Sequence, residues 1–427
     1  MMLRRLLTLL LILLLATSAQ AAMFNRDCSD PVVFRGAAVN ALVLPWRVDG
    51  DSPRLQAASR QISSLAHLQL LMAMLPIGSV GAVDLLAEHG AVCDVEQVLL
   101  RVSRGGVQGG TLAPGQAVLA IWGRLFEQDG ELFVQTYVRF ARQDAGGQGL
   151  VPERIKLSWG GAELQAGLPM QALPFAPRRI SLADLARIDA ACREALRVRP
   201  SPDAASPGVA FGTSAGQSFP YWVAESRGDW LKLAPMRAGL PEGWVRARAG
   251  EAQPDWSLAR WLPELDFALG LAAWLRLQVG AELVNGEPAG LAALATAALA
   301  RYEAAVPADQ APAAWGLAAA LRGHIAWTQG DRRAATALFA AAKERLPASA
   351  AAANLAAVTA LSNVSGSPDS AQRLNRSLLG ALAMAPDDAL LRANLAALYR
   401  VYADKPGWSP FGAAELAQRQ QVLEAAR

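Results

Sequence analysis

The chain has 427 residues, 53% apolar and 18% charged, with a formal net charge of +3. That is enough apolar material to fill about two or three cores, and it excludes a disordered chain. A charge so close to zero also excludes long-range electrostatic capture of nucleic acid.

The N-terminus is a separate element. Met1 to Arg5 form a basic head, Leu6 to Leu15 an apolar run, and Ala19-Gln20-Ala21 a small-residue cleavage site, which together make a secretory signal peptide. The run is about half of the roughly 20 residues a membrane-spanning helix needs. Residues 1–21 are therefore expected to be removed, leaving a soluble periplasmic chain with no membrane span. Three cysteines, Cys28, Cys93 and Cys192, permit one disulfide in an exported chain and leave one thiol over. Cys28 with Cys93 is the favoured pairing; three buried thiols are the alternative.

Residues 22–198 are expected to form an α/β domain. Val39 to Leu44, stopped by Pro45, has strand length; the stretch from Ser52 has helical apolar spacing at Leu55, Ile62, Leu65, Leu68, Leu71 and Leu75. Ser79 to Leu86 is a second strand candidate. Val118 to Phe140 is a hairpin about the turn Asp129-Gly130, with Leu132, Val134, Thr136, Val138 and Phe140 alternating with Phe133, Gln135, Tyr137 and Arg139. Ser181 opens a closing helix to Val198 as its N-cap. A strand ending in "LVLPW", a long helix and a late "AVLAIWGRL" strand are similar to the α/β domain of curli-secretion and Tol-translocation proteins. No functional residue is carried over from that resemblance.

The proline-rich segment 199–206 is expected as a linker, followed by a small all-β unit over residues 207–249. Here Gly228-Asp229-Trp230 and Gly243-Trp244-Val245 resemble the paired elements of the bacterial SH3-like barrel family. In so small a barrel bulky aromatics carry much of the burial. The resemblance implies a binding module, with a ligand groove at Tyr221, Trp222, Trp230 and Trp244; core packing of the tryptophans is the other reading.

Residues 257–427 are helical in pattern throughout, with breaks at Pro307, Pro312, Pro347 and Pro386. The stretch 322–347 resembles the tetratricopeptide repeat: Gly323 lets paired helices approach, Gly330-Asp331 turns the chain, Ala335, Phe339 and Ala342 fill the contact, and Pro347 ends it. "ANLAA" occurs at 353–357 and again at 393–397, a second sign of duplication, and about four units are expected. The fold class is thus multidomain: an α/β domain, a small SH3-like barrel and an all-α repeat array. The repeat family's concave face, carried over by position, implies a partner groove at Trp274, His324, Trp327 and Arg400; burial of Trp274 and Trp327 against neighbouring helices is the other reading.

Chemistry-bearing motifs are missing from the sequence. Histidine occurs only at 67, 89 and 324, with no metal-ligand spacing. "GGVQGG" at 105–110 lacks the Lys-Ser/Thr of a phosphate loop. No catalytic residue, metal or cofactor is expected. The function expected is that of an exported non-enzymatic adaptor, its repeats binding a protein or peptide partner and its barrel adding a second contact. The alternatives are a peptidoglycan-binding envelope protein and a secreted enzyme with its site in the first domain.

Overall fold

The computed structural model describes residue 33, residues 37–50 and much of 52–425. Outside the described residues lie 1–32, 34–36, 71–79, 85–93, 105–110, 144–149, 152–153, 169–172, 191–196, 211–220, 228–229, 236–240, 247–261, 279–289 and 426–427, with single positions within 51–69 and 185–189. The segment expected as a signal peptide, the three cysteines and the expected turn at Gly228-Asp229 fall there.

The N-terminal region is built on a mixed sheet. Its strands are β1 (Val39–Val48), β2 (Val80–Asp84), β3 (Ala117–Gln128), β4 (Glu131–Gln143) and β5 (Leu150–Val151), in the order β2-β1-β3-β4-β5. β1 runs parallel to β2 and β3; β3 and β4 are antiparallel. Asp129 and Gly130 both take positive φ (54° and 76°), the backbone a two-residue hairpin turn requires. β1 does not stop at Pro45 as expected. Its register with β3 shifts between Val43 and Trp46, and that irregularity admits a residue without an N–H inside an interior strand.

The alternation of β1 sends side chains to two different cores. Leu42 and Leu44, with Val118 and Ala120, pack against Val95, Val98, Leu99 and Val102 of α1 (Val95–Arg104). Asp94 caps α1, accepting the N–H groups of Glu96 and Gln97 at 2.9 and 3.3 Å. Val39, Ala41 and Val43 point the other way, toward Ala58, Ile62, Ala66 and Leu70 at helical spacing.

Beyond β5 the chain leaves the sheet. β6 (Arg154–Trp159) and β7 (Ala162–Gly167) form a two-stranded sheet of their own, turned at Gly160-Gly161 with φ of 62° and 100°. The chain then rejoins β4 through β8 (Leu173–Pro174) and β9 (Arg178–Ile180). Ser181 and Asp184 bond reciprocally at the start of the next helix, as the capping pattern predicts. That helix does not reach Val198: Arg197–Val198 is β10, paired with β11 (Val209–Ala210). The expected linker at 199–206 is therefore a closed excursion between two paired strands.

The small β-unit contains an antiparallel sheet of β12 (Tyr221–Arg227), β13 (Trp230–Pro235) and β14 (Gly243–Arg246), joined to the segment before it by an Arg199–Trp244 bridge. The C-terminal half is a series of helix pairs: α2 (Glu264–Gln278) with α3 (Leu291–Ala305), α4 (Pro312–Thr328) with α5 (Arg332–Arg345), α6 (Ala350–Thr359) with α7 (Pro368–Met384), and α8 (Ala389–Asp404) with α9 (Ala413–Ala425). A Cβ on Gly323 would come within 2.7 Å of the Phe339 ring, which is the close α4–α5 approach the sequence implies. Asp331, Ser349, Ser367 and Asp388 cap α5 to α8 in turn. No helix among the described residues is long and apolar enough to cross a membrane.

One hydrophobic cluster runs from the sheet into the helices without a break. Phe140 of β4 meets Trp274 of α2 edge to face at 5.5 Å, and Phe175 packs between Phe267 and Tyr302 at 5.4 and 5.6 Å. Arg178 of β9 pairs with the buried Glu264 at 2.7 Å, and Arg142 donates to the last carbonyl of α2, that of Gln278. Burial pushes the Glu264 carboxyl up, and Arg178 opposes that shift.

Candidate functional site: the inner face of the helical array

The first helices of the pairs, α2, α6 and α8, face the N-terminal region. The two copies of "ANLAA" each place their asparagine on that face. Asn354 of α6 and Asn394 of α8 are almost completely buried, and both reach one residue, Gln165 in the middle of β7.

Asn394 Oδ1 accepts the Gln165 main-chain N–H at 2.8 Å, and its Nδ2 donates to the Gln165 carbonyl at 2.6 Å. Asn354 Nδ2 donates to that same carbonyl at 3.1 Å, and its Oδ1 accepts from Asn394 Nδ2 at 2.9 Å. The outer edge of β7 is thus satisfied at Gln165 by two side-chain amides rather than by a neighbouring strand. An amide is suited to this because it carries an acceptor and two donors side by side, matching one residue's N–H and C=O. The contact reads main chain and ignores the Gln165 side chain.

The flanking residues make the seat apolar. Ile155, Trp159, Ala162, Leu164 and Ala166 lie on the buried face of the hairpin, whereas Arg154, Lys156, Ser158 and Glu163 are exposed on the other. The hairpin tip is held separately. Trp159 Nε1 donates to the Val364 carbonyl at 3.0 Å and its ring lies 6.0 Å from that of Trp408. Lys405 Nζ donates to the Gly160 carbonyl at 2.9 Å while standing 4.3 Å over the Trp408 ring.

The residues expected to line a partner groove are dispersed by the structure. Trp274 is fully buried between Phe140 and His324, and donates to His324 Nδ1 at 3.4 Å. His324 is itself buried, so this end of the inner face carries the N-terminal sheet instead of an open groove. Trp327 is also buried, roofed by the Arg332 guanidinium at 3.7 Å, and closes the α4–α5 turn. Arg400 is exposed on α8, six positions past Asn394 and off the face that meets β7. The first three are used for packing: Trp274 against the sheet, His324 against Trp274 of the neighbouring helix, and Trp327 at its own helix turn.

In the small β-unit Trp244 is buried beneath Arg227, and the half-buried Trp230 lies 5.5 Å from the Arg199 guanidinium. Tyr221 and Trp222 have their backbones in β12; their side chains lie outside the described residues. A cleft of about 620 Å³ opens elsewhere on the array, lined by Lys343, Leu361, Val364, Arg373 and Leu374 among others. Among the described residues no group of three His, Cys, Asp or Glu side chains could hold a metal ion.

Sequence reasoning missed the β6–β7 hairpin and the asparagine pair. The signal was present: apolar residues at 155, 157, 159, 162, 164 and 166 alternate about a Gly-Gly turn, and a buried polar residue recurs within a repeated pentapeptide. No protein-family model matches this chain, and no curated protein matches it.

The His324 environment has a pH consequence. Burial, helped by the nearby Arg142 charge, lowers its pKa to about 4. A base depressed from its unfolded value near 6.5 contributes stability that is present above about pH 6.5 and lost as pH falls toward 4. Between those values this one group is expected to remove at most about 1.4 kcal/mol per pH unit. His324→Gln, which keeps an acceptor for Trp274, should flatten the decline in urea midpoint between pH 7 and pH 4.5. An unchanged slope would mean that His324 does not protonate on unfolding.

Proposed function

We propose that this chain is an exported, periplasmic, non-enzymatic adaptor whose helical array binds a polypeptide partner, with the small β-unit as a second contact. The observation that carries the reading is the asparagine pair: the inner face of the array has side chains suited to the main-chain groups of an extended polypeptide. Recognition of main chain plus alternate side-chain pockets is how proteins commonly take up extended peptides. The half-buried Trp230 beneath Arg199 supplies an aromatic-cationic surface for the second contact. Linking two modest sites raises the overall affinity without new contacts at either.

The test places a photo-reactive residue at Arg400, exposed on the flank of α8 beside the inner face, or at Met384, exposed at the end of α7, in the mature protein mixed with envelope extract. A discrete cross-linked polypeptide from position 400 and not from position 384, with no pelleting on peptidoglycan sacculi, is the expected result. Pelleting on sacculi that Trp230→Ala abolishes, with no cross-link from position 400, would replace the adaptor with a wall-binding protein.

A further inference from the structure

The β6–β7 hairpin has an unusual status in the fold. It shares no ladder with the seven-stranded sheet it departs from, and it is bonded instead to α6, α8 and the turn carrying Trp408. A two-stranded hairpin without such support is marginal in water. The hairpin is therefore seated on the array much as a bound peptide would be: main chain to Asn354 and Asn394, Leu164 flanked by the small Ala162 and Ala166 on the buried face, and a tryptophan at the tip.

We propose that the α6–α8 face is a strand-binding groove that the chain fills with its own hairpin, and that its external ligand is an extended segment of a partner protein carrying a leucine between two small residues at alternate positions. This rests on the adaptor reading above. Because the asparagines' hydrogen bonds to the hairpin are to main-chain atoms, they set the direction and depth of the strand, whereas Ala162, Leu164 and Ala166 define which side chains the seat accepts. A strand tethered in the same chain competes at an effective concentration on the order of millimolar. The resting groove is closed to a free peptide, and a partner gains entry only together with release of the hairpin.

The full chain makes a direct test possible because Arg154 and Gly167 face each other across the base of the hairpin. Residues 155–166 are replaced by a short Gly-Ser turn joining those two positions. A fluorescein-labelled peptide of residues 159–168 is the probe, read by anisotropy. The excised chain should bind the peptide about 100-fold more tightly than the intact chain, and Asn394→Ala in the excised chain should weaken binding about tenfold. A folded excised chain that does not take up the peptide, or takes it up regardless of Asn394, overturns the proposal.

If the excised chain fails to fold, hydrogen exchange on the intact chain with Lys405→Ala and Trp408→Ala decides the matter. Hairpin amides that exchange faster while α6 and α8 stay protected support a seated ligand; hairpin amides that open only together with those helices overturn it. Cross-links from Arg400 that persist when the peptide fails to bind would leave the adaptor reading standing on another surface.

Discussion

Gly123→Ala is expected to destabilise the protein by about 3 kcal/mol or more, enough to remove much of the stability of an ordinary domain. Gly123 lies opposite Trp46 in the parallel β1–β3 pair, and the buried Trp46 side chain lies across the position a Cβ would occupy. On the other side the same Cβ would run into the main-chain carbonyl of Gln135 on β4. Neither neighbour is free to yield: Trp46 is held in the core, with its carbonyl bonded by Ser59, and the carbonyl of Gln135 belongs to an interior strand. Gly380→Ala is the control. It is exposed in the C-terminal part of α7 with nothing within 4 Å of its Cβ, and alanine there should be neutral or stabilising by up to about 1 kcal/mol. Urea unfolding of the two variants checks the contrast, and a Gly123→Ala chain within about 1 kcal/mol of the parent would contradict it.

The two asparagines are expected to differ although their pentapeptides are identical. Asn394→Ala strips the Gln165 N–H of its Asn394 acceptor and removes the donor to Asn354 Oδ1, so it should cost about 2–4 kcal/mol. Asn354→Ala removes one of two donors to the Gln165 carbonyl, which Asn394 still holds, and should cost about 1 kcal/mol. The local signature matters as much as the total: in Asn394→Ala the Gln165 amide should exchange faster than its neighbours in β7. Equal losses from the two substitutions would mean that the hydrogen-bond geometry at β7 is not the source of the stability.

Much of the architecture was legible because it rests on local chemistry. The Asp129-Gly130 turn, the alternation of β4, the Ser181 start, and the packing of Ala335, Phe339 and Ala342 beneath Gly323 all follow from backbone preference and periodicity, and the structure contains them. α1 was overlooked although Asp94 and the spacing Val95, Val98, Leu99, Val102 announce it. The candidate site was far less legible. The groove that the repeat resemblance implies at Trp274 and His324 is filled: a position on a helix face does not say what else will occupy that face. Likewise the role of Asn354 and Asn394 depends on a strand 189 and 229 positions away, a distance over which sequence pattern carries no information.

That separation also bears on how the chain can be taken apart. Stacked helix pairs normally depend only on their neighbours, so such arrays can be shortened from an end and still fold. Here the last complete pair is stitched to residues near position 160, and closing so large a loop is entropically slow compared with pairing adjacent helices. The helices can zip first from their local contacts, with the N-terminal hairpin arriving last. A fragment beginning at α2 would strip Asn354 and Asn394 of Gln165, leaving them with each other, and would uncover Trp274, so the array should be less stable alone than in the full chain although its helix pairs can form from local contacts.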